Sequence, residues 1–390
     1  PDRRDGSRAS GEAARPPETV AAPSGLGAFG VVWIAATARA GSAGGEMGDA
    51  LNLHVGHGKT GSSWIQSSLS LSRARLEAAG IDYPEEPGAA RGGPARVTSG
   101  NGKGLLVSEA ALSERLAAHR GAAGRTLLFS SEYLFDEMAD GAFEGFLRRV
   151  AAAHGFDRVR ILLFIRDPLG EAASGWQQGV KRAGFVAPIE SAFADIRPPW
   201  RVADVLERLE SLDGVEVTVR NYSRCRDRLL PETAAWLGLA PDALVEPPVK
   251  RVNRSMTRGE LALQRSLNRR LGASGDLLSD LLCQRLPEVE PEDVRPPVEV
   301  QEAAWERLLP AVERVAAHVP EAHRYGRDVR LPESGPLVLS EAQLDVIAAG
   351  FASAVVKRRA LVADPAAKLS ARRLASALQR RLRRRFAARV

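Results

Sequence analysis

Apolar runs and amphipathic stretches alternate through the middle of this chain. Residues 161–165, Ile-Leu-Leu-Phe-Ile, form a continuous apolar run, as expected of a strand covered on both faces of a parallel sheet. Residues 51–55, 126–129 and 215–219 predict three further strands. Between them, helical spacing covers residues 62–79, with Trp64, Leu69 and Leu76 among the apolar positions, and then 142–154, 170–182 and 202–212. Strands alternating with helices imply right-handed βαβ units, so an α/β core with a parallel sheet flanked by helices is predicted. Beyond residue 257 the pattern yields helices without strands, at 258–271, 300–318 and 341–362. Pro287, Pro291, Pro296 and Pro297 mark a loop between two of them. The predicted layout is an extension at 1–46, an α/β core at 47–256, a helical cap at 257–363 and a tail at 364–390, with no internal repeat.

Composition changes this picture only at the ends. A 44% hydrophobic and 26% charged chain is globular in type. Residues 1–46, however, are rich in Ala, Gly, Pro and Arg and read as disordered or as a non-native extension, Met47 being the expected natural start. The rival reading is a secretory signal, with 28–37 as its apolar stretch and Ala38-Arg39-Ala40 as a cleavage site. No apolar run reaches the roughly 18 residues that span a bilayer. The formal net charge of +6 has a local origin, since residues 371–390 hold eight arginines and no acid. Removing those eight from the total leaves the other 370 residues at −2, so the body is not a basic nucleic-acid binder. Cys225 and Cys283 lie far apart, without CxxC spacing or clustered histidines, which indicates neither a disulfide framework nor a metal site. A reducing, cytoplasmic setting is expected.

The chemistry starts at residues 56–64, Gly-His-Gly-Lys-Thr-Gly-Ser-Ser-Trp, between a predicted strand and a predicted helix. Gly56 to Gly61 spells GxGxxG, a dinucleotide-binding pattern whose confirming acid would be Glu77 or Asp82. Gly58-Lys59-Thr60 also ends a nucleoside-triphosphate loop, but Leu53 stands where that pattern has glycine, and Arg166 intervenes where a magnesium-binding acid should follow the strand. The third reading takes Lys59-Thr60-Gly61-Ser62-Ser63-Trp64 as the motif itself.

Under the third reading the chain resembles sulfotransferases that use 3′-phosphoadenosine 5′-phosphosulfate (PAPS), whose 5′-phosphosulfate loop runs Lys-(Ser/Thr)-Gly-(Thr/Ser)-(Thr/Ser). In that superfamily a later strand ends in Arg, followed eight residues on by Ser. Arg166 and Ser174 stand at that spacing in Ile-Arg-Asp-Pro-Leu-Gly-Glu-Ala-Ala-Ser. Gly80-Ile-Asp-Tyr-Pro84, Ser130-Ser-Glu-Tyr133, Arg220-Asn-Tyr222 and Val252-Asn-Arg-Ser255 are similar to stretches of one large bacterial branch, so the resemblance covers about residues 51–270.

The resemblance implies a fold like that of P-loop-containing nucleoside-triphosphate hydrolases and a donor site made of Gly58, Lys59, Thr60, Gly61, Ser62, Ser63, Trp64, Arg166 and Ser174. Backbone N–H groups and the helix dipole suit a phosphosulfate there. Lys59 follows the bridging oxygen as it gains charge, and Arg166 with Ser174 grips the 3′-phosphate, the alternative for Arg166 being a strand-end pair with Asp167 or Glu171. Trp64 is either core or an adenine platform. Lys250, Arg251 and Arg254 are a basic segment that could close over the 3′-phosphate. Glu132 is the expected catalytic base, against a helix-initiating Ser-Ser-Glu capped by Ser130 or Ser131. His57, within the donor loop, is the second candidate or else only orients that loop, whereas His119 and His154 read as surface positions. No metal is expected. The acceptor is a hydroxylated molecule, a glycan, a glycolipid or a small metabolite. A small-molecule kinase and an inactive nucleotide-binding module are the alternatives.

Leu374, Leu378, Leu382 and Phe386 recur every four residues among the tail arginines, a pattern for an anionic membrane surface or a solvated terminal helix. If the tail binds membranes, deleting residues 365–390 abolishes sedimentation with anionic liposomes and leaves donor binding intact. Unchanged liposome binding would contradict a membrane role.

Overall fold

A computed structural model describes residues 50–85, 100–108, 110, 113–115, 126–146, 156, 158–248 and 254–363. Five strands form one all-parallel sheet: β1 (Ala50–Gly56), β2 (Ile81–Asp82), β3 (Thr126–Ser130), β4 (Arg158–Ile165) and β5 (Val215–Asn221), in the spatial order β2-β3-β1-β4-β5. β1 is central, and every residue in it is buried. Its polar members are absorbed inside: His54 Nδ1 lies 2.7 Å from Ser130 Oγ on β3. Burial drives the His54 pKa down to about 3, so that ring is a neutral core element.

Register decides what the sheet presents at its carboxyl edge. His54 of β1 stands opposite Ser130, the last residue of β3; Gly56 stands opposite Phe164 of β4; and Ile165, the last residue of β4, stands opposite Asn221, the last of β5. Four strand ends therefore deliver their following residues side by side, at the edge where α/β sheets bind ligands.

The helix predicted over 62–79 is broken at Ser72 into Ser62–Leu71 and Arg73–Ala78. Residues 142–146 are helical, and the rest of the 142–154 prediction lies outside the described residues. The helix predicted at 170–182 begins two residues earlier, as Pro168–Arg182, with proline in its first turn where no N–H is needed. Helices at Tyr133–Ala139, Glu190–Ala194, Leu229–Trp236 and Ser279–Arg285 were not legible in the pattern because each is eight residues or shorter.

Beyond residue 257 the described residues hold no strand. The helices Arg258–Leu271, Val298–His318 and Glu341–Ala363 stand at the predicted positions within two residues, in the same compact unit as the sheet. A buried ion pair joins them to the core. Arg254 donates to Glu260 through two nitrogens at 2.8 and 2.7 Å, with both side chains fully buried. Glu260 also closes the capping box of its helix by accepting from the Thr257 N–H at 2.9 Å, and it accepts from Gln343 at 2.7 Å. The Arg254 carbonyl accepts from Lys181 Nζ at 3.0 Å, tying this knot to the helix Pro168–Arg182. Arg254 is thereby committed to structure. Lys250 and Arg251, the other members of that basic segment, lie outside the described residues, as does the 364–390 tail. Removing one member of a buried pair leaves the other charge uncompensated. Glu260→Ala is expected to lower the unfolding free energy by about 3–5 kcal/mol in urea titration, against little change for Glu207→Ala in the exposed pair with Arg314.

Candidate functional site

A cleft of about 1220 Å³ opens at the carboxyl edge of the sheet. Of the predicted site residues, His57, Gly58, Lys59, Gly61, Ser62, Ser63, Trp64, Glu132, Arg166 and Ser174 line it. Residues from the ends of β1, β3 and β4 and from the helix after β4 thus meet in one cavity, although up to 117 positions separate them in sequence.

The loop after β1 turns sharply. Gly58 and Gly61 have φ of 91° and 82°, and Lys59, a residue with a side chain, has φ of 57°. At Gly56 a Cβ would collide with the Thr60 hydroxyl, so the strand end must be glycine for the loop to fold back on it. Thr60 is the predicted donor residue that does not line the cleft: it is fully buried against that glycine, with its Oγ1 3.3 Å from Ser62 Oγ. Gly61 is the N-cap of the helix Ser62–Leu71; its carbonyl already accepts the Trp64 N–H at 3.0 Å, which leaves the N–H groups of Ser62 and Ser63 as those without intrahelical acceptors at the cleft wall.

Arg166 holds this loop in place. Its backbone N–H donates to His57 Nε2 at 3.1 Å, its guanidinium donates to the Lys59 carbonyl at 3.0 Å, and its Cζ lies 5.3 Å from the centre of the Tyr222 ring. The expected alternative, an ion pair with Asp167 or Glu171, is not formed among the described residues. Asp167 Oδ1 instead accepts from Asn221 at 2.8 Å and from the Gly326 N–H at 2.9 Å, joining β4, β5 and the segment from the helical region.

His57 orients the loop, the other role expected of it. Its Nε2 lone pair is used by Arg166 N–H, so the neutral ring carries its proton on Nδ1, an atom buried without a partner among the described residues. Burial lowers its pKa to about 4, and the Arg166 and Arg201 charges push in the same direction.

Lys59 reaches across the cleft to Gln178, donating to Oε1 at 3.3 Å. Burial and the Lys181 and Arg166 charges depress its pKa to about 8. Glu132 enters the cleft from the end of β3. Ser131 Oγ accepts the Tyr133 N–H at 3.2 Å, so the helix-initiating role falls to Ser131, and the Glu132 carboxylate makes no hydrogen bond or ion pair among the described residues. Burial raises its pKa, with Lys59 opposing and Asp136 adding to the rise. A carboxylate of raised basicity facing an ammonium is the arrangement that can take a proton from a bound hydroxyl.

Sequence reasoning gave no role to Gln178 or Tyr222. Gln178 lies one helical turn beyond Ser174, so the spacing would have found it. Tyr222 was visible only as part of a motif. Glu171, expected only as an alternative partner of Arg166, is brought beside both Arg166 and Lys59 by the fold, and burial lifts its pKa to about 7 against their pull. No protein-family model matches the chain, and no curated protein matches it.

A carboxyl with a folded pKa of about 7 holds its proton more tightly than in the unfolded chain, so its contribution to stability falls as pH rises from the ordinary carboxylate range to 7. Glu171→Gln is expected to raise the Tm above wild type by more at about pH 8 than at about pH 5. Equal shifts at both pH values in calorimetry would contradict this.

Proposed function

We propose that this chain transfers a sulfuryl group from PAPS to an acceptor hydroxyl, on a P-loop-like donor site. What carries the reading is the convergence of Lys59, Arg166, Ser174 and Glu132 in one cleft at the carboxyl edge of the sheet. The loop suits an anion: it adds a helix N-terminus to an ammonium that has no carboxylate partner among the described residues. The volume, about 1220 Å³, exceeds the roughly 300–1,000 Å³ of ordinary ligand pockets, leaving room for donor and acceptor together.

In this reading the residues divide the work by charge. The amides around Gly61 to Ser63 and the Lys59 ammonium hold the 5′-phosphosulfate, while Arg166 and Ser174 hold the 3′-phosphate. Trp64, in the helix after β1, and Tyr222, directly after β5, offer flat surfaces to the adenine. Glu132 accepts the acceptor's proton as its oxygen bonds to sulfur. The bond from sulfur to the bridging oxygen breaks, and Lys59 stabilises the charge left on that oxygen. The acceptor belongs to the hydroxylated class, glycan, glycolipid or small metabolite. The kinase alternative draws less support, because Asp167, the acid nearest a strand end, is engaged by Asn221 and Gly326.

Glu132→Gln is expected to retain binding of 3′-phosphoadenosine 5′-phosphate and to slow transfer of labelled sulfate by about 10² to 10⁴. Undiminished transfer would remove Glu132 from the reaction. Since transfer needs Glu132 ionised and Lys59 protonated, kcat/KM should rise with pH on the acid side and fall as pH passes about 8. In Lys59→Arg, which cannot lose its charge, the alkaline fall should vanish from whatever activity remains.

A further inference from the structure

The cleft wall carries many arginines, and most are already neutralised. Arg254 is held by Glu260 at 2.7 Å, Arg295 by Asp328 at 2.7 Å, Arg327 by Glu302 at 2.7 Å and Arg330 by Asp328 at 2.6 Å. Lys59, Arg166, Arg224 and Arg226 also line the cleft, and among the described residues none of these four is paired with a carboxylate. Four like charges on one wall repel one another unless a multiply charged anion joins them.

Their positions divide them. Lys59 belongs to the loop after β1, beside the helix N-terminus. Arg166, Arg224 and Arg226 form a second group around Tyr222. Arg166 lies over the Tyr222 ring at 5.3 Å, and Tyr222 opens the single-turn helix Tyr222–Cys225 that carries Arg224 and leads into Arg226. That turn is fixed relative to Arg166. Asn221 accepts the Ser223 N–H at 2.9 Å and donates to Asp167 at 2.8 Å, while the Asp167 N–H donates to Ser223 Oγ at 3.1 Å. The Arg224 guanidinium lies directly against Gly326, where any Cβ would overlap it.

We infer that Arg224 and Arg226 complete, with Arg166, the site for the donor's 3′-phosphate and determine its selectivity for the 3′-phosphorylated nucleotide. This rests on the sulfotransferase reading. With Arg254 committed to Glu260, the described residues among those predicted to hold the phosphate leave it one strand-end arginine and one serine, and the turn after β5 adds two further cations on the cleft wall. Guanidinium groups suit a terminal phosphate, which offers several oxygens to paired N–H donors.

The test is calorimetric titration of the full chain with 3′-phosphoadenosine 5′-phosphate and, separately, with adenosine 5′-phosphate, which lacks the 3′ group. Wild type should prefer the bisphosphate strongly. Arg224→Ala and Arg226→Ala should each weaken bisphosphate binding by about 10-fold or more and leave the monophosphate unchanged, consistent with loss of a charge-assisted bond. The double variant should bind both nucleotides alike, and Arg224→Lys with Arg226→Lys should recover part of the preference. Bisphosphate affinity unchanged in both single variants, or equal losses for both nucleotides, would overturn the inference. A wild type without preference for the bisphosphate would instead overturn the sulfotransferase reading.

Discussion

The contacts of Arg166 hold together everything proposed for the cleft. Its backbone N–H fixes His57, its guanidinium fixes the Lys59 carbonyl, and its face rests on Tyr222, so one residue at the end of β4 joins the loops that follow β1 and β5. The Lys59 backbone sits at φ 57°, a conformation that costs a residue with a side chain of order 1 kcal/mol and needs its surroundings to hold it. The bond to Arg166 is one such restraint, and the glycine contact between Gly56 and Thr60 is another.

Charge is sorted within the molecule with a consistent logic. Arginines that anchor the helices beyond residue 257 are paired with carboxylates, as Arg254 is with Glu260 and Arg295 with Asp328. Arg166, Arg224 and Arg226, which follow strand ends at the cleft, are left without them among the described residues. The same burial that makes uncompensated cations costly at the cleft moves the neighbouring groups toward neutrality: Lys59 down to about 8 and Glu171 up to about 7. An anionic ligand entering there would reverse part of that cost.

Strands and long helices were legible because they have strong periods. The run 161–165 and the helix Arg258–Leu271 needed no tertiary information. Short elements such as Ser279–Arg285 are set by contacts with distant residues, which no local pattern encodes. The site divides in the same way. Lys59, Arg166 and Ser174 were readable from motif spacing, and register brought them to one edge. Which of its two expected roles His57 takes depends on Arg166, a partner far off in sequence, and the pairing of Arg254 with Glu260 is set by tertiary burial that the sequence does not display. Arg224 could not be singled out at all, since what distinguishes it is the absence of a carboxylate partner among the described residues.

The most direct measurement follows the sulfur itself. The full chain is incubated in chelator with sulfur-labelled PAPS and a hydroxyl-bearing extract, and with γ-phosphorus-labelled ATP and magnesium in parallel. The account predicts sulfur label in an acceptor with 3′-phosphoadenosine 5′-phosphate released in equal amount. Sulfur label that stays on the donor while phosphorus label enters an acceptor would contradict it.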